Sequence, residues 1–175
     1  DKLLIPSGVT LTSSGTLTGF PGFDKYTVVT ASDATFDLQS TTTKIVVEVQ
    51  ASGGNAASNS ASGYEGGAGG AGAYAMKQLT GLTSTDKLNI TIGAVAGLGV
   101  SGTTTSVAQA GTASFTTITT TGGAGGTSAG ASAHGAGGAG GAAPSTGDLN
   151  IAGENGNGGG TAPSRQGPDS VLGFG

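Results

Sequence analysis

From Lys44 to Gln50 the side chains alternate cleanly. Ile45, Val47 and Val49 fall on one face, and Val46, Glu48 and Gln50 on the other. That alternation predicts a half-buried strand. Leu88–Ile92 repeats it, with Leu88, Ile90 and Ile92 set against Asn89 and Thr91. Weaker runs predict further strands at Tyr26–Thr30, around Phe36 and Leu38, at Tyr74–Leu79 and along the Thr-rich stretch Ala113–Thr121. Gly81 to Asp86 reads as a turn and Val95–Gly102 as a loop. Leu149–Ile151 and Val171–Phe174 are short apolar islands. No segment predicts a helix, because each interior glycine costs about 1 kcal/mol there. The expected core is small: Ile45–Val49 and Leu88–Ile92 with Phe36, Phe115 and Ile118.

Three glycine tracts separate these strands, at about 52–73, 122–143 and 153–160. Within them glycine recurs every third residue: Gly63, Gly66, Gly69 and Gly72, then Gly135, Gly138 and Gly141, then Gly153, Gly156 and Gly159. A period of three matches neither helix nor strand. It matches an extended left-handed helix of three residues per turn, which has no internal hydrogen bonds. Such rods gain their bonds from neighbouring rods, and a glycine at every third position lets the backbones approach. The composition also allows a disordered Gly/Ser linker. Two features count against that: Ala fills many of the intervening positions, and the tracts alternate with strands that could organise them. The expected fold is therefore mainly β with polyglycine-II-type glycine-rich rods and essentially no α-helix.

Composition narrows the function classes. Glycine is 37 of 175 residues, and aromatic residues are 5% with no Trp, so a large oily core is impossible and oligomerisation is an expected source of stability. Net charge is −4 with no Lys/Arg cluster, which argues against nucleic acid and anionic membrane surfaces. There is no cysteine, hence no disulfide framework and no thiolate metal site. No apolar run is long enough to span a bilayer as a helix. A chain opening on Asp1 rather than Met is expected to be part of a longer polypeptide.

Candidate motifs are weak individually. Gly97-Leu-Gly99-Val-Ser-Gly102 spells a dinucleotide fingerprint, but it lacks the following helix and the acid about 20 residues on. Asp148, Asn150, Glu154, Asn155 and Asn157 group oxygen ligands, yet Gly159 stands where a calcium loop needs its closing Glu; turn chemistry is the expectation. His134 is the only histidine. No nucleophile or acid is placed to make a triad with it, and a side chain projecting from a rod is expected. Asn89-Ile-Thr91 is a glycosylation sequon by letter, inside a predicted strand. The scattered Thr-x-Thr pairs, such as Thr117/Thr119, suit half-buried strands, and on a flat surface would suit ice.

The order of elements carries a resemblance. "TKIVVEV" runs into a glycine tract, then "GGAGGAGAYAMKQL", "DKLNITIGA" and "TTSVAQAGTASFTTITTTGGAGG", closing on "GPDSVLGFG". This resembles the glycine-rich domain at the tips of bacteriophage tail fibres and related receptor-binding proteins, over roughly Thr27 to Gly175. The first 26 residues fall outside it, as an N-terminal arm or shaft connection preceding a 27–175 domain.

The resemblance implies a non-enzymatic receptor-binding module of the virion. It would attach the particle to a bacterial surface glycan or outer-membrane protein beside other tail or spike proteins. It implies no fixed catalytic residue, metal or cofactor, no nucleic acid and no membrane insertion. A homotrimer is expected, intertwined through Leu3–Ile5, Val9 and Leu11. The candidate receptor-binding side chains are Tyr64, His134, Asn155, Asn157 and Arg165: isolated polar or aromatic groups displayed on a glycine frame. The alternatives are a structural or capping virion protein, an ice-binding protein built of packed rods, and a polysaccharide hydrolase, for which the scattered acids are poorly placed.

Overall fold

In the computed structural model the described residues are 25–59, 63–94, 97–112 and 114–160. The N-terminal arm up to residue 24 and the stretch from 161 onward, with Arg165 and Val171–Phe174, lie outside them. Among the described residues there is no helix. The strands are β1 (Asp33–Asp37), β2 (Lys44–Gln50), β3 (Tyr74–Thr80), β4 (Lys87–Thr91), β5 (Thr105–Ala110), β6 (Ile118–Thr120) and β7 (Leu149–Ile151). They form two antiparallel sheets, ordered β1-β4-β5-β6 and β2-β3-β7.

The two sheets face each other over the expected core. Val49, Ala75, Leu79, Leu82, Leu88, Ile90, Val107 and Ile118 are buried together, with Phe36, Ile45, Val47, Ile92 and Phe115 packed around them. The alternation in β2 and β4 is what turns these residues inward. Tyr26–Thr30 corrects the expectation: it is not a strand. It alternates, but no segment among the described residues pairs with it, and Tyr26 and Val28 stand exposed at 83% and 66% while Val29 reaches the core. The Thr-rich stretch is strand only over Ile118–Thr120.

Buried Asp86 fixes the turn after β3. Its carboxylate accepts from the Thr83 N–H at 2.7 Å, the Thr83 hydroxyl at 3.0 Å and the Thr112 hydroxyl at 2.6 Å. That ties the β3–β4 turn to the end of β5.

The glycine tracts are ordered. Six extended segments, 51–59, 63–73, 100–103, 121–129, 135–143 and 152–160, bond to one another through backbone groups at every third residue. Gly67, Gly70 and Ala73 donate to Thr127, Ala124 and Thr121, while Gly135, Gly138 and Gly141 donate to Glu65, Ala68 and Ala71. This is the three-residue turn made visible, since each side of a rod meets a different neighbour. The bonds define two layers of three: 51–59, 63–73 and 152–160 in one, and 100–103, 121–129 and 135–143 in the other.

Each of the first two tracts folds back on itself as an antiparallel pair of rods. Val95–Gly102 is a loop only in part: residues 97–99 bend and turn, with Gly97 and Gly99 at φ +78° and +66°, and from Val100 the chain extends as a sixth rod, held by Asn55 N–H to the Val100 carbonyl at 2.9 Å and Gly102 N–H to the Gly123 carbonyl at 2.8 Å.

Each rod layer grows out of a sheet without a slip of register. The β2–β3 ladder, Lys44↔Thr80 to Gln50↔Tyr74, continues as Ala51–Ala73, Gly54–Gly70 and Ala57–Gly67. The β3–β7 ladder, Tyr74↔Ile151, continues as Ala71–Glu154 and Ala68–Asn157. The β5–β6 ladder, Thr105↔Thr120, continues as Gly102–Gly123. The rods therefore run away from the sheets and turn back at a distal end.

Glycine is required here by contact. A Cβ on Gly67 would lie 1.9 Å from the Ala136 carbonyl oxygen, and one on Gly69 would lie 1.9 Å from that of Gly54. Gly69→Val is expected to cost about 3 kcal/mol or more, the upper end of overpacking, because the clashing atom is backbone and cannot rotate away. Gly130→Ala should melt within about 0.5 kcal/mol of the parent, since the nearest atom to its Cβ is the Ala133 oxygen at 3.9 Å. Thermal unfolding of both variants checks the pair of statements.

Tyr74, where β3 meets its rod, is 5% exposed. Burial, with the nearby Glu48 carboxylate second, raises its phenol above the usual value. A raised acid stabilises the fold while it stays protonated. That contribution is fully present below pH about 10, where the unfolded phenol ionises, and is lost as pH rises through the folded value. The stability gap between the parent and Tyr74→Phe should be flat below pH about 10 and should narrow above it in denaturant titrations.

Candidate functional site

The rods meet at the distal end in turns, and there the tracts carry their largest side chains. Rod 51–59 ends at Asn59 and rod 63–73 starts at Gly63, whose φ of +80° lets the chain reverse. Residues 130–134 join rods 121–129 and 135–143. Tyr64 and His134, 70 residues apart, come together at this end. Their ring centroids are 5.2 Å apart and the planes are inclined at 69°, an edge-to-face pair. Both are half-buried.

The pair sits in a hydrogen-bonded clamp built on Glu65. The Glu65 N–H donates to His134 Nδ1 at 3.0 Å, and the Glu65 carbonyl accepts the Gly135 N–H at 2.8 Å. The Glu65 carboxylate accepts the Gly160 N–H at 3.5 Å. Asn59 Oδ1 accepts the Gly66 N–H at 2.9 Å, and the Ser58 and Ser128 hydroxyls meet at 3.2 Å. A neutral imidazole that accepts at Nδ1 carries its proton on Nε2; this tautomer is assigned from the donor it faces. Among the described residues, neither His134 Nε2 nor the Tyr64 hydroxyl has a hydrogen-bond partner.

The remaining candidates are placed differently. Asn157 is exposed on the outer rod 152–160, and its carbonyl accepts the Ala68 N–H at 2.9 Å. Asn155 turns its side chain back onto the neighbouring rod, where Oδ1 accepts the Gly140 N–H at 2.8 Å. Its side chain therefore serves rod packing. Asp148 accepts the Gln78 N–H, and Asn150 exchanges two bonds with Gly147, which is the turn chemistry expected of that group. Among the described residues no three His, Asp or Glu side chains group as metal ligands. The dinucleotide-like glycines open a rod that leads into strand β5, and a Cβ on Gly102 would collide with the Ser52 carbonyl. Close packing accounts for that glycine.

Glu65 and Asn59 were not singled out from sequence. The available signal was position: both are polar residues flanking the point where the first tract reverses.

A family model described as a glycine-rich domain matches residues 27–175. The chain belongs to this glycine-rich domain family. Comparisons with curated proteins and with solved structures return no match. The match begins shortly before β1 and takes in both sheets and all six rods of the glycine-rich domain.

His134→Ala is expected to release the Glu65 amide. Its hydrogen exchange should accelerate by about tenfold, the worth of one net hydrogen bond. The Gly70 amide, bonded to Ala124 deep between the layers, should exchange as in the parent.

Proposed function

We propose that this glycine-rich domain is a non-enzymatic attachment module, the receptor-binding tip of a bacteriophage tail fibre or spike. In this reading it works outside the cell on the virion, as a homotrimer, and binds a glycan or outer-membrane protein of a bacterial surface. One observation carries it: side chains suited to recognition collect at the distal end of the rods, opposite the sheets, on a frame whose own residues are mostly Gly, Ala and Ser. Backbone bonding fixes where each turn emerges, so the tip is preorganised. The order of strands and tracts, which resembles that of tail-fibre tips, supports the same reading.

A second reading has a specific observation behind it. Rod 135–143 presents Ala136, Ala139 and Ala142, exposed at every third residue, and rod 121–129 presents exposed Thr121 and Thr127 six residues apart. At about 3.1 Å per residue this is a flat, regular array of small groups of the kind that would suit ice.

The test is binding of the purified chain to a panel of bacterial strains. Saturable binding to a subset of strains, with competition against phages that adsorb to them, is the expected outcome. No binding to any strain would sink the attachment reading and leave a capping role. Thermal hysteresis without cell binding would select the ice reading. Light scattering should give three times the chain mass; a monomer at high concentration would remove the trimer alone.

A further inference from the structure

We propose that the Tyr64–His134 pair is a carbohydrate site that takes one neutral pyranose ring of a bacterial surface glycan. The inference rests on the attachment reading and names the ligand chemistry of the tip. A pyranose presents a patch of C–H groups on its face and hydroxyls around its rim. Recognition therefore needs an aromatic face with donors and acceptors at its edge. The tip supplies both. In an edge-to-face pair at 5.2 Å and 69° the partner's edge covers one ring face, and both residues keep part of their surface exposed. The Nδ1 bond from Glu65 fixes the His134 tautomer and makes Nε2–H a donor. The Tyr64 hydroxyl both donates and accepts. Among the described residues neither is used within the protein.

Charge and space narrow the ligand. The four described lysines, Lys25, Lys44, Lys77 and Lys87, belong to the sheets or to the segment leading into them, away from the tip. Among the described residues the tip offers no lysine or arginine to pair a phosphate or a carboxylate, and a neutral hexose or N-acetylhexosamine fits. A Cβ at Gly63 would meet nothing within 4 Å, and one at Gly130 only the Ala133 oxygen at 3.9 Å, so neither described glycine crowds the tip. The clamp on both sides of Glu65 holds the rings in place before the ligand arrives, so little ordering cost falls on binding.

His134 is the single histidine of the chain, so its imidazole Cε1–H is a unique nuclear magnetic resonance reporter. The intact chain would be titrated with methyl glycosides of glucose, galactose and N-acetylglucosamine, and with oligosaccharides released from lipopolysaccharide of strains that it binds. At least one sugar should shift the His134 and Tyr64 ring signals saturably. Tyr64→Ala and His134→Ala should each weaken that sugar by about tenfold or more, with Gly70 amide protection confirming the fold. Should either variant fail to fold, Tyr64→Phe and His134→Gln keep the test: each should weaken binding by a smaller but measurable factor. Saturable sugar binding that leaves both ring signals unmoved would overturn the placement, and the attachment reading would stand. Cells bound while no sugar moves the signals would overturn the carbohydrate class in favour of a protein receptor. No binding to any cell or sugar would overturn both.

Discussion

Where one backbone N–H meets a neighbouring rod's carbonyl in this slab, no room remains for a methyl group between them, and that exclusion organises the domain. Ala57 N–H reaches the Gly67 carbonyl at 2.9 Å, Gly70 N–H the Ala124 carbonyl at 2.9 Å and Gly138 N–H the Ala68 carbonyl at 2.8 Å. At each such crossing a glycine lies where a Cβ would enter the neighbouring peptide. Most of these glycines do not serve backbone freedom. The described glycines with positive φ are Gly63, Gly81, Gly97, Gly99 and Gly111, all at turns or at the start of a rod. Ordering glycine costs more backbone entropy than ordering any other residue, and each bond returns only about 1 kcal/mol net. The slab holds because one rod bonds to several neighbours at once. Rods 63–73 and 121–129 each bond to four others, so the loss of either would strip the most partners.

The sheets give the rods what rods cannot supply, a starting register. A rod has few side chains to specify which residue faces which, and a shift by three would restore nearly the same pattern. The ladders of β2–β3, β3–β7 and β5–β6 remove that ambiguity by running straight into the rods. The strands are in turn fixed by their buried faces, where a slip by one residue would turn Val49 and Leu79 outward. Asp86 adds a polar tie at the opposite end of the sheets, and Lys87–Asp37 adds an exposed ion pair at 2.7 Å whose contribution is small. Specificity thus flows from apolar side chains, through strand register, to backbone-only contacts.

What was legible in the chain follows the same division. β2 could be bounded to the residue, and the partners of Phe36 and Ile118 in the core could be named, because alternation reports directly on burial. The period of three identified the rods, but not where they reverse. Asn59 and Gly63 interrupt the first tract no more visibly than the residues within it, so the reversal leaves no mark in the spacing. Rod 100–103 was missed because glycine spacing is irregular there and because it and the turn before it are held in part by Ser52 and Asn55 side chains. Tyr26–Thr30 misled for the opposite reason: alternation was present but a pairing strand was not. At the tip, Tyr64 and His134 were singled out as isolated groups. Their meeting depends on rods 63–73 and 135–143 lying parallel and adjacent, a fact carried by backbone bonds with no trace in side-chain pattern. Asn155 read as a displayed polar group, yet it bonds backward to Gly140, which only the neighbouring rod reveals.

A frame of this kind separates stability from display in a way that a packed apolar core does not. Within a rod, one register of residues faces each neighbour and must stay glycine or small, as at Gly67, Gly70 and Gly138. The outward register and the turns face solvent, and Gly63 and Gly130 have open space around them. Substitution at Gly130 changes what the surface offers while leaving the ladder intact, whereas the side chains of Asn59, Thr127 and Asn155 accept backbone N–H groups across the rods and belong to the frame. His134 marks the boundary. Its ring stacks edge-to-face with Tyr64, while its Nδ1 accepts from the Glu65 backbone and so belongs to the frame. A side chain that completes the backbone network and keeps its remaining donor without a partner among the described residues is the point at which this domain's architecture and its proposed recognition surface become one arrangement.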